Sequence, residues 1–164
     1  MDTWKRLGMG LGCMLLAGVG RADSARVQAH PTTPYFLARP ADVQYQPAKM
    51  LPPAVRVAVL HGDLASEPSA IQVKLPAHDT IPWHHHPLDE VVVGVQGQFQ
   101  VTTKRTSQVV TVGSGQFMVM PAEMVHQARC VSREDCVVRL FPPGPWGIVY
   151  ENPADDPRGD AGKK

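Results

Sequence analysis

Several absences bound the reading of this chain of 164 residues. Beyond the first twenty positions no apolar run reaches the roughly 18 residues that would suggest a membrane helix. No run of Lys or Arg exists and the formal net charge is only +1, so neither nucleic acid nor an anionic membrane surface has an obvious place to bind. No segment keeps a helical period, and no internal repeat is present, which excludes bundles and solenoids. A Ser/His/Asp set and a reactive cysteine signature are missing too, so nucleophilic hydrolysis has no carrier. What is plentiful is Gly (14) and Pro (16), set between short periodic runs. That combination points to one all-β domain with many turns.

The N-terminus reads as a secretory signal peptide over residues 1–22. Lys5 and Arg6 form its basic start, Leu7 to Gly20 its short apolar stretch, and Gly20 and Ala22 the small residues before cleavage. Five glycines in the run oppose the competing reading, a buried helix. Gly12-Cys13 and Lys5-Arg6 are poor matches to a lipoprotein site and a twin-arginine signal. Cleavage would remove Lys5, Arg6, Arg21 and Asp2 and turn the net charge to −1. It would also remove Cys13 and leave Cys130 and Cys136, an even count that suits a disulfide in an oxidising compartment. The expected location is periplasmic or secreted, with no membrane attachment after cleavage. The Cys130–Cys136 bond is expected across a hairpin whose turn is Ser132-Arg133-Glu134-Asp135.

Residues 23–50, broken by Pro31, Pro34, Pro40 and Pro47, read as an extended arm. Residues 51–152 read as the barrel and 153–164 as a polar tail. Strand-like runs are Arg56–Leu60, Ile71–Leu75, Ile81–His86, Glu90–Val95, Gln98–Thr103, Gln108–Val112, Phe117–Met120, Val125–Val131, Cys136–Phe141 and Ile148–Glu151.

The densest chemistry is Pro82-Trp83-His84-His85-His86-Pro87-Leu88-Asp89-Glu90. Side chains two apart on a strand share a face, so His84 and His86 face together and His85 turns away. Glu90, across a short Pro-Leu-Asp link, can return to the same side as an oxygen ligand. Of the remaining histidines (His30, His61, His78 and His126), His126 is best placed, because it opens a strand after the tight approach Pro121-Ala122-Glu123-Met124. Two kinds of ligand, imidazole and carboxylate, suit one divalent transition metal (Fe, Mn, Ni, Cu or Zn) rather than Ca. Four ligands leave a coordination position open for water or substrate. Met118, Met120 and Met124 read as core filling rather than copper ligands. Trp83 and Trp146 read as buried barrel-wall residues, the commoner case, ahead of pocket lining, and Glu123 as a solvated turn residue ahead of a general base.

This stretch resembles the first motif of the cupin family, which His84, His86, Glu90 and Gly97 match in spacing. The second motif is matched by Gly115, Pro121 and His126. The chain departs from the pattern where His78 replaces the opening glycine of the first motif, and where Glu123 and Cys130 replace the central glycine and final asparagine of the second. The resemblance covers about residues 55–151 and implies a single antiparallel jelly-roll β-barrel with the metal inside near one end. The closing Gly144-Pro145-Trp146-Gly147-Ile148 and Asn152-Pro153-Ala154-Asp155-Asp156-Pro157 look like those of small secreted bacterial cupins.

Two function classes follow. One is a metal-dependent enzyme of dioxygenase, isomerase or lyase type acting on a small organic molecule. The other is a non-catalytic metal-containing module that binds or senses a small ligand. The scaffold hosts both, and the open-position ligand set favours the first. Export in an unfolded state would leave metal choice to availability and intrinsic affinity, which rises towards Cu and Zn. A homodimer is expected, because such barrels leave sheet edges that pair with a second copy.

Overall fold

The structure is a computed structural model and describes residues 39–159. The expected signal peptide, most of the expected arm and the end of the expected tail lie outside the described residues. Eleven strands occur in chain order: β1 Gln46–Pro47, β2 Arg56–His61, β3 Ala70–Leu75, β4 Thr80–His85, β5 Glu90–Gln96, β6 Phe99–Thr103, β7 Val109–Val112, β8 Phe117–Met120, β9 His126–Cys130, β10 Cys136–Leu140 and β11 Val149–Tyr150. Each of the ten runs read from the sequence overlaps one of them, with ends that agree to within one residue. β1 is the addition: it falls in the stretch expected to be an irregular arm and pairs with β2 through only two residues.

The strands form two antiparallel sheets, ordered β1-β2-β3-β10-β5-β8 and β11-β4-β9-β6-β7. Sequence neighbours β3 and β4, and β9 and β10, lie in opposite sheets, so the chain crosses the barrel repeatedly. That is a jelly roll, an all-β fold as expected. Alternation along the strands supplies the core. In β5, Glu90, Val92 and Gly94 are buried while Val91, Val93 and Val95 are less covered. Ile71, Val92 and Val138 from one sheet meet Phe99, Val101 and Ala128 from the other. Burying each Val or Ile side chain is worth about 1.5–3 kcal/mol.

Cys130 and Cys136 are disulfide-bonded, with Cα atoms 5.5 Å apart. The expected hairpin is not what they span. β9 pairs with β4 and β6, whereas β10 pairs with β3 and β5. The segment between the cysteines therefore crosses from one sheet to the other, and both sulfurs point into the space between the sheets, where both residues are fully buried. The bond staples the barrel rather than closing a ladder. Gly97 makes room for it. Its φ is +73°, and a Cβ there would lie 2.7 Å from Ser132 Oγ and 3.0 Å from Cys136 Sγ.

Candidate metal centre

A bulge in β4 aims the first histidine. Ile81 and His84 are three residues apart and would face opposite sides of a regular strand, yet both are buried. Ile81 opposes Ala128 and His84 opposes His126 on β9, so Pro82 and Trp83 together stand against the single residue Gln127. Proline has no N–H to leave unpaired at such a site. The carbonyl of Pro82 accepts a hydrogen bond from His84 Nδ1 at 2.6 Å. His86, two residues on, returns to the same face and donates from Nδ1 to the Gly147 carbonyl at 2.6 Å. His126 opens β9 and donates from Nδ1 to the Met124 carbonyl at 2.8 Å.

These three bonds fix the chemistry of the rings. A carbonyl only accepts, so each Nδ1 carries the proton and each Nε2 keeps its lone pair. One ligand atom from each of His84, His86 and His126 lies within 4.8 Å of the other two. The ring centroids of His84 and His126 are 4.2 Å apart, and those of His84 and His86 5.0 Å. Burial holds all three imidazoles below their ordinary pKa, His84 furthest, with His126 and His86 beside it adding to the effect. They are neutral at physiological pH, the form that binds a metal ion.

Glu90, the first residue of β5, is 3 % exposed. Its Oε1 accepts a hydrogen bond from Trp146 Nε1 at 2.8 Å, and its Oε2 lies 3.5 Å from His86 Nε2. Burial pushes its carboxyl up to about 7, against the pull of the Trp146 N–H. The four residues expected from the sequence thus meet in one place. Among the described residues the compact ligating group is the three histidines, and Glu90 adjoins it beside His86. His85 faces outwards, as alternation requires, and its Nε2 lies 3.1 Å from Glu123 Oε2. Met120 is buried at the wall of the site and Met118 only partly so, which fits core filling.

Inside the rings lies a cavity of about 30 Å³, bounded also by Phe99, Met120, Trp146 and Ile148. That holds an ion and a water or two, but not an organic molecule. Trp146, expected to be a plain wall residue, is part of the site. Its ring stacks on His86 at 5.9 Å and 18° and it binds Glu90. Tyr150, which nothing in the sequence singled out, sits 6.0 Å from His84 by ring centroids. The anchoring carbonyls carry no side-chain signature. The segment Gly144-Pro145-Trp146-Gly147 is the only trace of the Gly147 carbonyl.

Residues 71–141 match the family model described as a cupin domain. The chain belongs to the cupin superfamily. Solved cupin-fold neighbours include the polyketide cyclase RemF from Streptomyces resistomycificus, with 15% identity, 76% of this chain and 90% of that one covered, and a TM-score of 0.62. The DMSP lyase DddQ from Ruegeria pomeroyi DSS-3 aligns at 18% identity over 68% of this cupin and 62% of that chain, with a TM-score of 0.56. KdgF from Halomonas sp. aligns at 21% identity over 64% and 92%, with a TM-score of 0.52. At these identities the likeness is one of fold. No curated protein matches this cupin by sequence.

Proposed function

We propose that this cupin is a metal-dependent enzyme acting on a small organic molecule, of dioxygenase, isomerase or lyase type. The observation that carries the reading is the fixed tautomer of His84, His86 and His126. Three backbone carbonyls take the three Nδ1 protons and leave three Nε2 lone pairs in one buried group. Neutral imidazoles with a carboxylate alongside fit one divalent transition metal from the series Fe, Mn, Ni, Cu and Zn. The histidines would hold it, with Glu90 as the fourth group. A metal bound there supplies Lewis-acid chemistry or, if redox-active, chemistry on O2. The chain's own residues orient and exclude water. The anchored rings cannot turn, and Phe99, Ile148 and Trp146 keep the surroundings apolar. Two fold neighbours are named as a cyclase and a lyase, both acting on small molecules, which supports the substrate class.

The small size of the cavity favours a second reading, a non-catalytic module that binds a small ligand nearby. A wider groove of about 760 Å³ lies between the Thr103–Gln108 loop and Pro121–Val125, and none of its lining residues borders the small cavity. The deciding experiment screens phenolic, diketone and sugar-acid compounds against the Fe, Mn, Ni, Cu and Zn forms, following O2 uptake and product mass. Turnover by any metal form, lost in His126→Ala, supports the enzyme. Saturable binding without turnover in every metal form supports the module.

Three further assignments belong to the same reading. The chain is exported and matures by cleavage after Ala22, to a periplasmic or secreted protein. Residues 51–152 are its barrel. It works as a homodimer through β8, an edge strand among the described residues.

A further inference from the structure

We infer that Trp146 is the positioning residue of the metal centre: its indole N–H holds one oxygen of Glu90 so that only the other is offered to the ion. This rests on the metal reading above. The segment between β10 and β11 makes three separate contacts with the site. Trp146 Nε1 donates to Glu90 Oε1 at 2.8 Å. The indole lies flat against His86, 5.9 Å between centroids and 18° between planes. The next residue, Gly147, accepts the His86 Nδ1 proton. The segment is itself held in place. Trp146 N donates to the Leu64 carbonyl at 2.8 Å. A Cβ at Gly144 would come within 3.0 Å of Leu88 Cδ1, and one at Gly147 within 3.3 Å of Pro87 Cγ. It therefore lies against Pro87 and Leu88 of the Pro87-Leu88-Asp89 link, and touches His86 and Glu90 on either side of it.

A carboxylate has two oxygens and can ligate through both. Glu90 has Oε1 committed to the indole, which leaves Oε2, the atom facing His86 Nε2 at 3.5 Å. One-oxygen ligation keeps the coordination number low and a position open. A ring that merely blocked Oε1 would give the same outcome. The test variant therefore keeps a ring and removes the donor.

Trp146→Phe and Glu90→Gln are titrated with cobalt(II) beside the native chain, and the d–d absorption, which weakens as coordination number rises, is recorded. Trp146→Phe is expected to weaken cobalt affinity about 10–100-fold, the range for losing a group that orients a ligand, and to weaken the band. A purely structural role would lower thermal stability and leave the band as it was. In parallel, the indole N–H resonance assigned by Trp146→Phe is followed in the metal-free chain, where Glu90→Gln should move it. A Trp146→Phe chain with native cobalt band and affinity overturns the inference, as does an indole resonance indifferent to Glu90→Gln. A native chain that takes up no cobalt, with the resonance still moved by Glu90→Gln, overturns the metal reading and leaves the Trp146–Glu90 bond standing.

Discussion

His78 and Glu123 have φ of 65° and 61°, in the left-handed region that favours glycine. Both stand where the cupin motifs carry glycine. The chain kept the turn and gave up the residue that makes it easy. A left-handed non-glycine costs about 1–2 kcal/mol, and glycine returns about 0.5–1 kcal/mol of that as extra unfolded-state entropy. Exposed His78 makes no side-chain hydrogen bond or ion pair among the described residues, so His78→Gly should stabilise by about 0.5–1 kcal/mol, read as a higher urea midpoint at unchanged slope. Glu123→Gly should gain less, because Glu123 Oε2 also meets His85. A lower midpoint for His78→Gly would show that its side chain contributes to folding. At this scale the shared face of His84 and His86 was legible because strand alternation is a property of side-chain order. The carbonyls that fix their tautomers were not, since every residue has one and only the fold decides which is near. Trp146 was seen but undervalued: its role depends on a contact 56 positions away in the chain.

At the scale of elements, runs of β-branched residues between turn residues located the strands. Their partners were less legible. β9 and β10 follow each other with a short turn-like link, which in sequence looks like a hairpin, yet they belong to opposite sheets. The disulfide consequently staples the two sheets. Its loop is short, so Cys130→Ala with Cys136→Ala should cost about 2 kcal/mol plus whatever cavity the lost sulfurs leave. Thiol titration of the unfolded, unreduced mature chain should find no free thiol, and two would contradict the bond. The bulge at Pro82-Trp83 was likewise invisible, because only the register with Gln127 reveals the extra residue. β8 is an edge strand reading Phe117-Met118-Val119-Met120, without a charge or proline to blunt it. Phe117 is 71 % exposed and Val119 55 %, directly across from Val93 and Val91 of β5. Light scattering should give twice the chain mass, falling to the monomer in Phe117→Glu/Val119→Glu. A native monomer would contradict the proposed dimer.

For the whole molecule, the jelly roll was accessible through the resemblance of the two spaced motifs to the cupin family, since short strand runs and turns by themselves give only an all-β domain. The size of the cavity was not, since it depends on how Trp146 and Ile148 fill one end. Export is the expectation furthest from the described residues. The native protein's N-terminal sequence should begin at Asp23, and a cytoplasmic chain starting at Met1 would contradict it. The central claim is that His84, His86 and His126 hold one metal ion, and elemental analysis of protein purified from its native compartment tests it most directly. About one transition-metal ion per native chain is predicted, lost in His84→Ala, His86→Ala and His126→Ala and kept in His85→Ala, whose side chain leaves the other face of the strand. A metal-free native protein, or a His126→Ala chain that keeps its metal while His85→Ala loses it, would contradict the account.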